Sequence, residues 1–109
     1  MLFRSWVIKV RFYTDDRDVC SIMEENLTGG IEIEDWLMQR MDGISFDSMD
    51  YPCDMEFCYD CYFQSDADEL KAREIYGLLE ISSLDRMGVR CTVWVTDHSL
   101  NEEIKITGR

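Results

Sequence analysis

Histidine and proline occur once each in this chain, and a glycine-rich phosphate loop or a long apolar run does not occur at all. Each absence removes a class of function. The lone histidine, His98, has no cysteine within sequence range to activate and reads as a solvated loop residue. No G-x-S-x-G elbow is present. Gly29-Gly30 is a helix stop rather than a phosphate cradle. Asp15-Asp16-Arg17-Asp18 lacks the glycine and terminal glutamate of a calcium loop. The opening MLFRSWVIKV is interrupted by Arg4 and Lys9, too soon for a signal peptide or a membrane span, which predicts a cytosolic address. Basic residues are scarce too: 11 lysines and arginines face 23 acids, a formal charge of −12. A field of that sign repels nucleic acid and anionic membranes and attracts basic protein surfaces.

What is present argues for a folded molecule. Apolar residues make up 46% of 109 residues and charged residues 31%, enough for one domain with its own core. The five cysteines, an odd number in a reducing compartment, read as thiols. The charge is uneven. Residues 15–60 carry fourteen acids against Arg17 and Arg40, so the middle of the chain holds as much negative charge as the whole. Repeats, linkers and low-complexity tracts are missing.

Trp6 to Thr14 alternates, with Trp6, Ile8, Val10 and Phe12 on one face and Val7, Lys9, Arg11 and Tyr13 on the other, which predicts a half-buried strand. Asp15 and Asp16 offer N-caps for a helix over about 17–27. Ile33, Trp36, Leu37 and Met41, led by Glu32, Glu34 and Asp35, predict a second helix over about 32–42. Residues 44–64 read as a β-hairpin turning at 50–54, where Pro52 brings no N–H that a ladder would miss. Ile44, Phe46 and Ser48 share one face of its first arm. Met55, Phe57, Tyr59, Cys61 and Phe63 form the apolar file of the second. A long helix over about 66–87 follows, capped by Ser65-Asp66, with Leu70, Ile75, Leu78, Leu79 and Ile81 as its buried stripe. Val89 to Thr96 is a strand, and Ile104-Lys105-Ile106 a last short one. This order is the split βαβ pattern, an α+β ferredoxin-like sandwich with a four- to five-stranded antiparallel sheet and helices on one face. In that topology Lys9 and Arg11 fall beside Glu56 and Asp60 as cross-strand ion pairs.

The hairpin is also where chemistry is densest. Cys53, Cys58 and Cys61, with Cys91 as a fourth, match the spacing by which plant-type ferredoxins hold a 2Fe–2S cluster. That resemblance implies an electron carrier. Bulky and acidic residues between these cysteines oppose it, since a cluster loop needs small residues and backbone N–H groups aimed at sulfur. Strand alternation also puts Cys58 and Cys61 on opposite faces. The acids Asp47, Asp50, Asp54, Glu56 and Asp60 lack a lysine or histidine partner for metal-assisted hydrolysis. Tyr13, Tyr62 and Trp94 project from the open sheet face, where base stacking would need a positive field.

Charge presented rather than charge used is therefore the leading expectation: a non-enzymatic binding protein, without cofactor, whose carboxylates stand in for phosphates on a basic, nucleic-acid-binding partner. The residues expected to touch it are Asp47, Asp50, Asp54, Glu56 and Asp60, the second cluster Glu32, Glu34 and Asp35, and the anchors Tyr51 and Trp94. Small size, acidity and a compact α+β fold make the chain similar, as a class, to phage-encoded inhibitors of bacterial defence, anti-CRISPR proteins among them. That resemblance implies a nuclease or CRISPR effector as partner, in the host cytoplasm, and carries over no functional residue. A structural interaction subunit, acidic only for solubility, is the other reading.

Overall fold

A computed structural model describes residues 7–97 and 102–107. Strands β1 (Ile8–Tyr13), β2 (Ile44–Asp50), β3 (Cys58–Ser65), β4 (Arg90–Asp97) and β5 (Glu102–Ile106) form one antiparallel sheet in the order β2-β3-β1-β4-β5. The first four are the ferredoxin-like arrangement, and β5 adds an edge beside β4. Helices α1 (Val19–Met23), α2 (Ile33–Arg40) and α3 (Asp68–Ile81) complete an α+β sandwich. Trp6 and His98 lie outside the described residues. Among the described residues no helix is long and apolar enough to cross a membrane.

Alternation sets which sheet face is covered. Ile8, Val10 and Phe12 of β1, Tyr59, Cys61 and Phe63 of β3, and Val93 and Val95 of β4 share the core face and are buried. Val19, Ile22 and Met23 of α1, Ile33, Trp36 and Leu37 of α2, and Ala72, Ile75 and Leu79 of α3 pack on it. The opposite face, with Lys9, Arg11, Tyr13, Tyr62 and Trp94, is only half-buried.

Several expected boundaries move, each for a local reason. The first helix is capped by Asp18, not Asp15 or Asp16: its Oδ1 accepts from the N–H groups of Cys20 (3.0 Å) and Ser21 (3.3 Å). Replacing Asp18 with alanine should cost about 1 kcal/mol of stability, the usual value of an N-cap, read from urea midpoints. After Met23 the helix widens into a π-helical turn, Glu24–Thr28, closed by Gly29 at φ 72°. Further on, α3 stops at Ile81, because Ser83 takes φ 59°, and a 3₁₀ turn, Leu84–Met87, follows. Leu70 and Ile81, expected in the buried stripe, are exposed.

The hairpin departs most. A β-bulge at Asp47 inserts one residue between the pairs Phe46–Phe63 and Ser48–Tyr62. Beyond it every β2 side chain changes face: Ser48 and Asp50 turn to the open face, and Met49 turns to the helix side, opposite Cys61. The second arm begins at Cys58, so Met55, Glu56 and Phe57 are not strand residues. Their carbonyls serve the β1–α1 connection instead, Phe57 O accepting from Thr14 N (2.8 Å) and Glu56 O from Val19 N (3.0 Å). Residues 51–57 thus form a loop laid across the start of α1.

Candidate functional site

Six of the nine described basic residues are held in ion pairs. Arg11 meets Asp60 through Nε–Oδ1 (2.8 Å) and Nη2–Oδ2 (2.9 Å). Lys9 reaches over Trp94 to Glu103 (3.1 Å) rather than to Glu56. Arg17 pairs with Asp16, Lys71 with Glu74, Arg73 with Glu69 and Arg90 with Asp15. Among the described residues no lysine or arginine pairs with Asp18, Glu24, Glu32, Glu34, Asp50, Asp54 or Glu56.

The fold gathers most of these uncompensated acids around Tyr51. Its ring lies against Tyr59, centroids 5.2 Å apart and planes at 55°, and its hydroxyl is 3.7 Å from Cys20 Sγ. Tyr51 is 40% exposed and is flanked by half-exposed Met49. Beneath it lies a cavity of about 230 Å³ between α1, the π-helical turn, the start of α2 and the hairpin. Glu24, Glu32 and Glu34 contribute its polar lining, and Cys20, Met23, Ile33, Met49 and the two tyrosines the rest. Asp18 and Glu56 stand beside Tyr51 and close enough to each other to shift one another's pKa.

The electrostatics follow from crowding. Glu34, on the first turn of α2, is 4% exposed, and both its oxygens accept from the Tyr59 hydroxyl (3.0 and 2.9 Å). Burial raises its pKa, and Glu32 nearby reinforces the rise. The hydrogen bond to Asp18 raises Glu56. Burial works against the charge on Asp18, but the bonds it accepts from Glu56, Ser21 and Cys20 hold its pKa below the usual carboxylate range, so the two acids are driven in opposite directions. Burial lifts the Cys20 thiol to about 11 and also raises Cys58, Cys61 and Cys91, so at neutral pH these four are thiols rather than nucleophilic thiolates.

The expected contact residues divide. Asp50, Tyr51, Asp54, Glu56, Glu32 and Asp35 are exposed. Asp47 is half-buried in the bulge, accepting from Ser48 Oγ (2.9 Å) and Gln64 Nε2 (3.4 Å). Two acids are corrected. Asp60 is 1% exposed and consumed by Arg11, and Glu34 is buried, so neither presents charge on the surface. Trp94 is half-buried on the open face, away from Tyr51, with Lys9 and Arg11 over its ring at 4.4 and 5.3 Å from its centroid. Asp18, Glu24, Cys20 and Tyr59 were missed, and no spacing signal could find them, because they come from segments that meet only in the fold.

The cysteines do not converge. Cys53 is exposed in the loop, Cys58 lies on the open face opposite Tyr13, and Cys61 and Cys91 lie on the core face opposite Val10 and Phe12. Among the described residues no three histidine, cysteine or carboxylate side chains are placed to hold a metal ion. A wider hollow of about 600 Å³ between α3 and β4–β5 mixes Glu80 and Asp85 with Arg90 and Lys105, so it favours neither sign of charge. Comparison with protein-family models, with curated proteins and with solved structures finds no match.

Proposed function

We propose that this chain is a non-enzymatic acidic binding protein that occupies the basic, nucleic-acid-binding surface of a partner, a bacterial nuclease or CRISPR effector being the kind that its class resemblance implies. One observation carries the reading: five acids that no lysine or arginine among the described residues pairs with, Asp18, Glu24, Glu32, Glu34 and Glu56, lie together around Tyr51, in a site that Met49 also lines. An exposed aromatic and a methionine inside an acidic rim supply the apolar anchors and charge steering that an interface with a basic groove needs. The open sheet face is a poorer platform for nucleic acid, because three of its cations are engaged, Arg11 with Asp60, Lys9 with Glu103 and Arg90 with Asp15, and Lys105 opposite Trp94 is a single charge in an acidic chain.

The test is capture of partners from a bacterial lysate at low and moderate salt, with double-stranded DNA or RNA as competitor. A basic nucleic-acid-binding protein should be retained at low salt, released as salt rises, and displaced by the nucleic acid. Reversing Asp50, Asp54 and Glu56 together to lysine should weaken the association by about tenfold or more, each like-charge contact being unfavourable against a basic surface. Retention that ignores both the reversal and the competitor would mean that the acids serve solubility alone.

A further inference from the structure

We propose that the cavity under Tyr51 receives one arginine side chain from the partner's basic surface, with the Glu34 carboxylate at its inner end. This inference rests on the binding reading above and names the group that it recognises.

The cavity has the shape and the donors for that group. At about 230 Å³ it admits a side chain rather than a loop. Met23, Ile33 and Met49 offer apolar wall to an aliphatic stem, and the tilted rings of Tyr51 and Tyr59 offer faces on which a guanidinium stacks. At the mouth stand Glu24 and Glu32. Further in is Glu34, a carboxylate that lines the cavity although it is 4% exposed.

Buried carboxylates are ordinarily paired with a cation. Asp60, the other acid found buried among the described residues, is paired in that way by Arg11, in a two-point fork. Glu34 has the same burial and no such partner among the described residues. The one Tyr59 hydroxyl lies within reach of both its oxygens, and its own backbone N–H and the Glu32 carboxyl are its other polar neighbours, so among the described residues no cation faces its two oxygens. A guanidinium supplies the two parallel N–H groups that would meet both oxygens, where an ammonium supplies a single point. A metal ion is a poorer fit, since among the described residues no three ligands converge.

The probe is N-acetyl-arginine amide, titrated into the full chain at about 0.15 M salt, where the Debye length of about 8 Å limits the reach of distant charges, with tyrosine ring NMR signals as readout. N-acetyl-lysine amide and N-acetyl-citrulline amide, the neutral isostere, form the comparison arms. The arginine probe should move the Tyr51 and Tyr59 signals and bind at least about tenfold more tightly than citrulline, the difference being a charge-assisted bidentate bond. Glu34→Gln, which keeps a carbonyl acceptor for Tyr59, should remove about tenfold of the arginine affinity. The double reversal Asp50→Lys with Asp54→Lys should leave probe affinity within about threefold while weakening the whole partner. Equal binding of arginine and citrulline, equal binding of arginine and lysine, or an unchanged Glu34→Gln variant would overturn the assignment. The two readings fail separately. A probe that titrates Glu34 while charge reversal leaves the partner bound would retire the surface reading, and the opposite pattern would retire the cavity.

Discussion

Replacing Arg11 with alanine should lower the unfolding free energy by about 3 kcal/mol, a fall of about 10 °C or more in Tm. Arg11 sits on the central strand β1 directly opposite Asp60 of β3. The carboxylate is 1% exposed, and both its oxygens take a guanidinium N–H, at 2.8 and 2.9 Å. Removing the cation leaves a charge with almost no access to water, helped among the described side chains by the Tyr62 hydroxyl at 3.5 Å. Asp50 makes matters worse, because β2 places it opposite Asp60 on the other side. The guanidinium itself is about a third exposed, so the loss belongs at the lower end of what breaking a buried pair costs. Exchanging both partners for apolar residues, Arg11→Met with Asp60→Leu, should lose much less than Arg11→Ala, since no unpaired charge remains. Urea unfolding of the three proteins checks this. A loss below about 1 kcal/mol for Arg11→Ala would show that water reaches Asp60 as soon as the arginine leaves.

Glu34→Gln should do the opposite and stabilise the chain at neutral pH, by about 1–2 kcal/mol. Burial is the main reason that the folded-state pKa of Glu34 lies above the ordinary 4.5, and Glu32 adds to it. Glu24, Tyr59 and Cys20 also line this cavity, and no cation offsets them. Between 4.5 and the raised value the folded chain holds a proton that the unfolded chain has released, so stability falls as pH rises through that window. Above the raised value the penalty is complete, and below 4.5 it is absent. Glutamine at this position keeps the bond from Tyr59 and has no charge to bury. The advantage of Glu34→Gln should therefore be small at pH 4, grow with pH and level off. An advantage independent of pH, or a variant less stable than the parent at pH 8, would show a solvated carboxylate. A charge held at a cost to stability beside two aromatic rings is what a site prepared for a cation requires.

These two carboxylates show how far residue patterns reach. Arg11 and Asp60 follow from alternation alone: the order of elements makes β1 and β3 neighbours, and the period of two puts both side chains on the open face. Alternation likewise assigns Val10, Phe12, Cys61 and Val93 to the core, because strand geometry leaves each side chain only two directions. Helix spacing does the same for Ile33, Trp36 and Leu37. A single inserted residue escapes such patterns. The bulge at Asp47 leaves composition and apolar count unchanged, yet it moves Met49 to the cavity side and Asp50 to the open face. The expected files on β2 therefore hold only up to Phe46.

Glu34 is the clearest limit. An acid in the first turn of a helix reads as a surface residue favoured by the helix dipole, and Glu32 and Asp35, its neighbours in the chain, are exposed. What buries Glu34 is not local: the Tyr59 hydroxyl arrives from β3, Tyr51 from the hairpin loop, and Cys20 and Glu24 from α1 and the π-helical turn that continues it. The sequence by itself determined the element order, the ferredoxin-like α+β sandwich and the concentration of negative charge in residues 15–60, since periodicity and composition are local quantities. Only the tertiary structure decided which acids keep a cation and which line the hollow under Tyr51. That outcome depends on distances between segments far apart in the chain, and no spacing along the chain encodes them.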